Sequence, residues 1–210
     1  MQERATVPRG RHAPPLEIRL SEQRRRLFAA AAAVFARMGY ADATAEAIAR
    51  EAGMSKATFY EHFANKEDCI VALFDTATEV VLEAMRAAGE ASRGQSGELR
   101  IRATIEAFLQ ALSDFPDEAQ TLLVEIVGAG PRAMERRDRA LDAVAQYIDD
   151  FNRADAERGA TARLASPDDA FAIVGAVVEL ASRQIRTGRP ADIRAIEPVV
   201  ERLVLGLLRM

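Results

Sequence analysis

The chain has 210 residues, 49% of them hydrophobic and 29% charged, which is the composition of a globular protein and excludes a disordered or fibrous one. Its net charge of −4 is unevenly distributed, because residues 1–66 hold 11 Lys and Arg against 7 Asp and Glu, whereas residues 67–210 hold 17 against 25. The basic N-terminal part therefore keeps nucleic acid open as a partner, since salt screens charges beyond about 8 Å.

Scarce residue types exclude several kinds of site. Cys69 is the single cysteine, so neither an internal disulfide nor a cysteine-rich metal site can form. His12 and His62 are the two histidines, no Glu-x-x-His pair occurs, and no nucleophile has an evident base partner. We therefore expect no metal, no cofactor and no enzymatic activity. Without an apolar run of roughly 20 residues or a signal segment, we expect a cytoplasmic protein.

The chain starts with residues 1–20, which are rich in proline and arginine and predict a flexible basic arm. The alternative is an arm that reaches the phosphates or the minor groove of a nucleic acid. Beyond it, apolar residues recur at the i, i+3, i+4 spacing of helices, which predicts an all-α protein. The first helix is expected over residues 21–38, with Leu27 and Phe35 on its inner face. Three arginines near its start are candidates for phosphate contact: Arg24, Arg25 and Arg26.

Two short helices around a tight turn form the most specific pattern in the chain. The first is predicted over residues 44–52, and Gly53 ends it because glycine adopts the left-handed conformation at little cost. Ser55 is suited to cap the second helix, which is predicted over residues 56–63. This arrangement is a helix-turn-helix motif.

The second helix of the motif has the chemistry of a helix that meets DNA. Phe59 and Phe63 are four residues apart and face inward. The outer side carries hydrogen-bond donors, which contact phosphates and base edges in such motifs. These donors are Lys56, Thr58, Tyr60, His62 and the following Lys66. The alternative is an ordinary polar surface helix.

The segment resembles the DNA-binding domain of the tetracycline-repressor (TetR) family of bacterial regulators. The shared pattern is Thr, Ile-Ala, Ala-Gly-aliphatic-Ser, small-Thr-aromatic-Tyr-x-His-Phe and Asn-Lys-Glu. The matching residues are Thr44, Ile48, Ala49, Ala52, Gly53, Met54, Ser55, Ala57, Thr58, Phe59, Tyr60, His62, Phe63, Asn65, Lys66 and Glu67. The chain departs from the pattern at Ala57, where Gly or Pro is frequent, and at Phe59, where Leu is frequent. Neither departure changes the polarity of its face.

The resemblance implies a nine-helix, two-domain fold, with a DNA-binding head at residues 21–66 and an effector-binding and dimerisation body at residues 67–210. By matching positions, it implies that Lys56 and Tyr60 lie nearest the base edges, with Ala57 against a thymine methyl group. It implies phosphate contacts for four residues, namely Thr44, Thr58, His62 and Lys66. Two further residues complete the predicted DNA-binding set: Ser55, and Glu46 as a secondary candidate for base contact.

Six further helices are predicted between breaks at proline and glycine residues. They are expected over residues 65–85, 98–113, 116–127, 131–157, 167–187 and 191–208. The first of them links the head to the body, and residues 89–97 are expected to form a flexible connection.

The body is expected to hold a small-molecule effector in a central cavity, as the resemblance implies. Its aromatic residues are candidates for the lining, with packing in a helical core as the alternative: Phe74, Phe108, Phe115, Tyr147, Phe151 and Phe171. Two glutamines are candidate polar anchors, Gln110 and Gln146. Two acids interrupt apolar stretches, Glu125 and Glu179, and each lies at a rim, pairs with arginine or lines the cavity, because a buried unpaired carboxylate costs several kcal/mol. Such a cavity suits an uncharged or cationic organic effector.

The last two predicted helices carry more apolar surface than they can hide within one chain. A two-fold four-helix interface would bury it and would place two recognition helices in successive major grooves about 34 Å apart, on an inverted-repeat operator. The predicted interface residues are Val174, Val178, Ala181, Ile185, Ile196, Val200, Leu203 and Leu207.

We therefore expect a homodimeric DNA-binding transcriptional regulator that a small organic effector releases from its operator. Repression is taken from the resemblance. Two alternatives stay open, namely a DNA-binding dimer that answers to a protein or has an architectural role, and an activator.

Overall fold

The computed structural model describes residues 16–208, which form nine α-helices and no β-strand. The helices are α1 Leu16–Asp42, α2 Ala45–Glu51, α3 Lys56–His62, α4 Lys66–Ala91, α5 Gly97–Asp114, α6 Pro116–Leu123, α7 Pro131–Glu157, α8 Pro167–Thr187 and α9 Glu197–Leu207. Two short 3₁₀ segments, Glu125–Gly128 and Ile193–Ile196, precede α7 and α9. The all-α, nine-helix prediction is confirmed for this part of the chain.

Several helix boundaries differ from the predicted ones. Helix α1 starts at Leu16, inside the predicted arm, and the rest of that arm lies outside the described residues. The helix also continues past residue 38 to Asp42 across a kink at Gly39, whose φ is +76°. The predicted last helix is divided, because Pro198 lies in the first turn of α9 and the preceding residues form a 3₁₀ turn.

The head is a three-helix unit built on buried aromatic and aliphatic side chains of α1, α2 and α3. Phe35, Ile48 and Phe59 have no exposed surface. Gly53 makes the turn between α2 and α3 with φ +66°, a conformation that side chains other than glycine rarely adopt. The predicted helix-turn-helix therefore forms with its apolar side against α1.

The body surrounds a cavity with the helices α4 to α9. Helix α4 runs from the head along the whole body, and its last turns pack against α5 and α7. Its Gly89 lies so close to α7 that a Cβ atom there would come within 2.8 Å of the Phe151 ring. Residues 89–91, predicted as a flexible connection, are thus part of a closely packed helix, and only residues 92–96 link α4 to α5. Within residues 16–208 no helix is long and apolar enough to cross a membrane.

Candidate DNA interface and effector cavity

The outer face of α3 is the most exposed part of the helix-turn-helix. Lys56 and Ala57 in its first turn are exposed, and Tyr60 one turn later is 50% exposed. Lys56 has no hydrogen-bond or ion-pair partner among residues 16–208. Its ammonium group is therefore free to donate to a base edge, as the resemblance implies. Glu46 on α2 is exposed too.

Three hydroxyl groups of the predicted DNA-binding set also hold the two helices in place. Thr44 Oγ1 accepts a hydrogen bond from the Ala47 amide at 3.1 Å and caps α2. Ser55 Oγ caps α3 in the same way, accepting from the Thr58 amide at 3.0 Å, and it lies 2.9 Å from Thr58 Oγ1. A hydroxyl that accepts at a cap keeps its own hydrogen. Capping and the predicted contacts of Thr44, Ser55 and Thr58 with DNA are therefore compatible.

His62 lies at the end of α3 with Nε2 at 3.2 Å from Gln23 Oε1 of α1. Burial, aided by the nearby Arg24, lowers the pKa of His62 below its ordinary value, while Glu61 opposes the shift. The imidazole is therefore neutral near pH 7. A phosphate contact of His62 stays a prediction, and it would use a neutral donor.

Lys66 has a different position from the one that the resemblance implies. Its Nζ donates to the carbonyl oxygens of Tyr40, Ala41 and Ala43, at 2.7, 2.9 and 3.0 Å. An ammonium group has three hydrogens, so this network uses all of them. We therefore expect Lys66 to join the start of α4 to the end of α1 rather than to contact a phosphate.

The three neighbouring arginines of α1, Arg24, Arg25 and Arg26, also differ in their surroundings. The Arg24 guanidinium stacks 5.1 Å from the ring centroids of both Phe28 and Phe63. Arg26 Nη2 donates to the Ala52 carbonyl at 2.6 Å and closes the end of α2. Arg25 is exposed and has no partner among the described residues, so it is the candidate for phosphate contact.

The body contains a cavity of about 150 Å³ lined mostly by aliphatic and aromatic side chains. Four of the predicted residues line it, and they come from three helices: Phe74, Phe108, Tyr147 and Phe151. Tyr147 and Phe151 are four residues apart on α7, so their side chains enter the cavity from one face of that helix. The polar side chains in the lining are Thr78, Thr104, Arg137, Tyr147, Asn152, Asp155 and Thr161.

The other six predicted cavity residues lie outside the lining, and the structure gives the reason for each. Phe115 and Phe171 are 50% and 47% exposed. Gln110 donates to Asp114, and Gln146 donates to Asp150, each within its own helix on the surface. Glu179 is an exposed partner of Arg186.

Glu125, the sixth of these residues, joins the head to the body. Its Oε2 accepts from the Tyr40 amide at 2.7 Å, and its Oε1 accepts from Gln120 at 2.8 Å. The Tyr40 amide directly follows the kink at Gly39 in α1. Glu125 is thus neither a pocket residue nor paired with arginine.

One end of the cavity holds a buried ion pair that sequence reasoning missed. Arg100 of α5 and Asp155 of α7 are 4% and 1% exposed and contact each other, and Arg158 pairs with the same carboxylate. Arg100 Nη2 donates to the Gly89 carbonyl at 3.1 Å, and its guanidinium lies 4.5 Å from the Phe151 ring centroid. A signal existed, because Asp155 follows Tyr147 and Phe151 at helical spacing on one face of α7.

The predicted dimer residues mostly face the interior of their own chain. Val174, Ala181, Ile196 and Val200 are buried, and Val174, Val178 and Val200 line the cavity. Ile185, Leu203 and Leu207 are half-buried. The exposed residues of α8 and α9 include Phe171, Ala172, Gly175, Val199, Arg202 and Gly206, which we call the α8–α9 face. Val174, Ala181, Ile196 and Val200 are thus hidden from a second copy, whereas a contribution of the half-buried residues to an interface stays a prediction.

Comparison with known proteins agrees with this architecture. Residues 27–73 match the family model of bacterial regulatory proteins, tetR family. The fatty acid degradation regulator FadR from Bacillus halodurans superposes with a TM-score of 0.80 at 21% identity, over 89% of this chain and 96% of that chain. FadR from Bacillus subtilis in complex with stearoyl-CoA has a TM-score of 0.73 at 19% identity, over 87% and 98% of the two chains. The TetR-family regulator PfmR from Thermus thermophilus has a TM-score of 0.62 at 24% identity, over 89% and 95%. No curated protein matches the sequence.

The matched segment covers α1 from its first buried residue to the first turns of α4, which includes the whole helix-turn-helix. Together with the nine-helix fold of residues 16–208, this match identifies a DNA-binding transcriptional regulator. Residues 27–73 thus form a DNA-binding domain of the TetR family.

Proposed function

We propose that the protein is a homodimeric repressor that leaves an inverted-repeat operator when an uncharged, mainly apolar effector fills the cavity of the body. The observation that carries this proposal is the cavity itself, which is lined by the same helix that joins the head. Helix α4 contributes Phe74, Thr78 and Val81 to the lining and begins at Lys66, whose ammonium group holds the end of α1. A ligand that widens the cavity thus acts on a helix attached to the head.

Two ion pairs connect α4 to the other long wall of the cavity. Asp68 and Asp75 of α4 pair with Arg132 and Arg136 of α7. These pairs span the part of α4 next to the head, so separating α4 from α7 would move that part. The hydrogen bond from the Tyr40 amide to Glu125 supplies a second connection between head and body.

The charges in the lining support an uncharged effector over a cationic one. Asp155 is the acidic residue in the lining, and its carboxylate already pairs with Arg100 and Arg158. A cationic ligand would therefore find no unbalanced negative charge, and a buried charge without a partner is costly. Glu125 and Glu179, on which a cation site would have rested, lie elsewhere.

An anionic acyl thioester is the second candidate class. FadR from Bacillus subtilis, which shares the fold, was solved with stearoyl-CoA. In this chain the observation in its favour is Arg137, a cation in the lining whose side chain is 22% exposed and whose nearest acid, Asp138, is 3.8 Å away. Arg137 precedes Asp155 by five turns of α7, so the two charged groups lie far apart along the cavity wall.

Operator release measures the proposed function directly. The labelled probe is duplex DNA from upstream of the protein's own gene, and binding is followed by fluorescence anisotropy in the presence of neutral, cationic and acyl-thioester compounds. We expect neutral apolar compounds to raise both the operator Kd and the melting temperature of the free protein. An operator Kd that no compound changes would favour the effector-free alternative, and a response to anionic compounds alone would exclude the uncharged class.

A pair of variants separates cavity filling from general disturbance. Val144→Phe fills the lining from α7, whereas Val80→Phe adds the same bulk on the exposed side of α4, where Val80 is 48% exposed. We expect Val144→Phe to bind the operator without responding to ligand and Val80→Phe to respond normally. A reporter placed behind the operator distinguishes repression, in which loss of the gene raises expression, from activation.

A further inference from the structure

The cavity of the body is long and narrow. On α7 its lining extends from Arg137 to Asp155, which are about 27 Å apart along the helix axis. A lining residue occurs at every turn between them, including Leu141, Val144 and Ile148. The cavity volume is about 150 Å³, and a compact cavity of that volume holds a molecule the size of benzene. Because the same volume is spread along α7 here, its cross-section is small.

Helix α4 forms the opposite long wall of the cavity. Its lining residues recur over residues 74–85, a distance of about 16 Å along the helix. Arg136 of α7 pairs with Asp75 of α4 at one end of this stretch. Phe151 of α7 lies against Gly89 of α4 beyond the other end. The two helices therefore run side by side in the same direction, and the cavity is a channel along both of them.

The hydroxyl groups along the channel are engaged with the backbone or lie where the helices pack. Thr78 Oγ1 and Thr104 Oγ1 donate to carbonyl oxygens one turn earlier in their own helices, at 2.8 and 3.0 Å. The Tyr147 hydroxyl lies against α4 beside Gly89, where a Cβ atom would come within 3.4 Å of it. A polar atom of a ligand in the middle of the channel would therefore lose its hydrogen bonds to water with little to replace them.

We propose that the effector is a single unbranched alkyl chain whose polar atoms lie at its ends, and that it occupies this channel lengthwise. The charged residues of the lining agree with such a ligand, because Arg137 lies at one end of the channel and Asp155 at the other. A ring system or a branched skeleton needs width in two directions, which the channel does not offer. The proposal rests on the proposed function, since it names the shape of the ligand of the same cavity.

A homologous series of alcohols measures the length of the channel. Burial of one CH₂ group strengthens binding about fourfold. We expect calorimetry to show a rise of about this factor per carbon from hexanol to decanol, because each added CH₂ group lies further along the channel. In a compact cavity of the same volume the rise would stop near hexanol.

A branched isomer tests the width of the channel. Decanol and 2-propylheptanol have the same atoms and the same primary hydroxyl group, and they differ in the shape of the carbon skeleton. We expect decanol to bind about tenfold more tightly or better, because part of the branched skeleton stays outside the channel.

A variant that narrows one end of the channel separates its length from its volume. Ile101 follows Arg100, the partner of Asp155, and lines the channel. We expect Ile101→Phe to weaken decanol about tenfold and to leave hexanol, which needs only part of the channel, nearly unchanged. Leu99→Phe adds a ring on the exposed side of α5, where Leu99 is 47% exposed, and should bind both alcohols as the wild type does. Leu164→Phe, in the loop that lines the same end, is the second variant if Ile101→Phe does not fold.

The outcomes separate this proposal from the proposed function. The proposal is overturned if the affinity stops rising near hexanol, if 2-propylheptanol binds as tightly as decanol, if the narrowed variant loses both alcohols equally, or if no alcohol binds. Operator release by a compact ring compound, abolished in Val144→Phe, would keep the proposed function and overturn the alkyl chain. Binding of decanol without operator release, for it and for longer alcohols alike, would keep the alkyl channel and remove the proposed function.

Discussion

Lys56 and Lys66 are both lysines of the basic head, yet their different surroundings lead us to expect different roles. Lys56 is exposed at the start of α3 without a partner among residues 16–208, whereas Lys66 is held by three carbonyl oxygens. Sequence analysis placed both lysines on predicted helices and identified both as hydrogen-bond donors. It could not separate them, because the carbonyl oxygens that engage Lys66 come from residues 23 to 26 positions earlier in the chain.

Removing Lys56 is expected to change which sequence the protein prefers. In Lys56→Ala the loss of a base contact should cost about 1 to 3 kcal/mol on the matched operator and little on random DNA. Competition anisotropy on both duplexes measures the difference.

Two matched variants show whether the effect belongs to base contact. Arg25→Ala should weaken both duplexes equally and reduce the slope of log K against log salt by roughly 1. Lys66→Met should leave that slope unchanged and lower the melting temperature instead. Equal losses on both duplexes for Lys56→Ala would refute the division of tasks.

Cys69 is a buried thiol and a natural reporter of unfolding. Burial raises the pKa of Cys69 to about 12, with a small opposing effect of Arg24. We expect iodoacetamide at pH 8 to leave the native thiol unmodified and to label it at once in denaturant, since the thiolate is the reactive form. Mass spectrometry of the labelled chain checks this, and rapid labelling of the native protein would contradict the burial of the thiol.

The same thiol contributes to the dependence of stability on pH. Above the ordinary thiol pKa the unfolded chain releases a proton that the native chain keeps until about pH 12. The contribution is therefore fully present below that ordinary value and is lost as pH rises toward 12. Comparison with Cys69→Ala isolates it from the other titrating groups.

At the scale of elements, the breaks at proline and glycine residues were enough to predict nine helices. The helical spacing of apolar residues correctly predicted which face of α1 is buried. The same spacing did not predict the buried face of α8, because apolar residues occur on two faces of that helix. Val174 and Val178 face the cavity, whereas Phe171 and Gly175 face outward. A hydrophobic pattern cannot say which of two apolar stripes meets its own core and which meets a partner.

The corner between α4 and α5 depends on a glycine that sequence analysis treated as part of a linker. A Cβ atom at Gly97 would lie 2.0 Å from Thr161 Cγ2 and 2.4 Å from the Ala160 carbonyl oxygen, while a Cβ atom at Gly94 would meet nothing within 4 Å. We expect Gly97→Ala to lower the free energy of unfolding by about 1 to 3 kcal/mol, because backbone and side chain must move apart. Gly94→Ala should change it by less than about 0.5 kcal/mol. Urea unfolding gives the free energy of unfolding of both variants. Equal values for Gly97→Ala and Gly94→Ala would contradict the close packing at this corner.

For the whole molecule, the α8–α9 face is the place where we expect two copies to meet. Gly175 on this face has no atom near its Cβ position, so a long side chain there is accommodated in one chain but obstructs a close partner. We expect Gly175→Arg to fold, to sediment as a monomer at micromolar concentration and to lose most operator affinity. Val80→Arg, on the exposed side of α4, is the control that should stay dimeric. If the Gly175→Arg variant remains a dimer, the interface lies elsewhere on the molecule.

The uneven distribution of charge between the basic residues 1–66 and the acidic residues 67–210 is also a property of the whole molecule, and it was visible from the sequence alone. The spacing of Tyr147, Phe151 and Asp155 placed Asp155 on the aromatic face of α7, but nothing in the sequence indicated that Arg100 is its buried partner. Its position became evident only when α5 and α7 were brought together around one cavity. The burial of this pair beside the cavity depends on the tertiary packing of α5 against α7.

In vitro selection from a random duplex library shows whether the protein reads DNA as a two-fold dimer. The purified protein should enrich an inverted repeat whose half-sites are separated by about one helical turn or a multiple of it, as two recognition helices of a dimer require. Lys56→Ala should fail to enrich the same half-site. Enrichment of an asymmetric single site, or of no sequence at all, would contradict a two-fold DNA-binding regulator that reads its operator through α3.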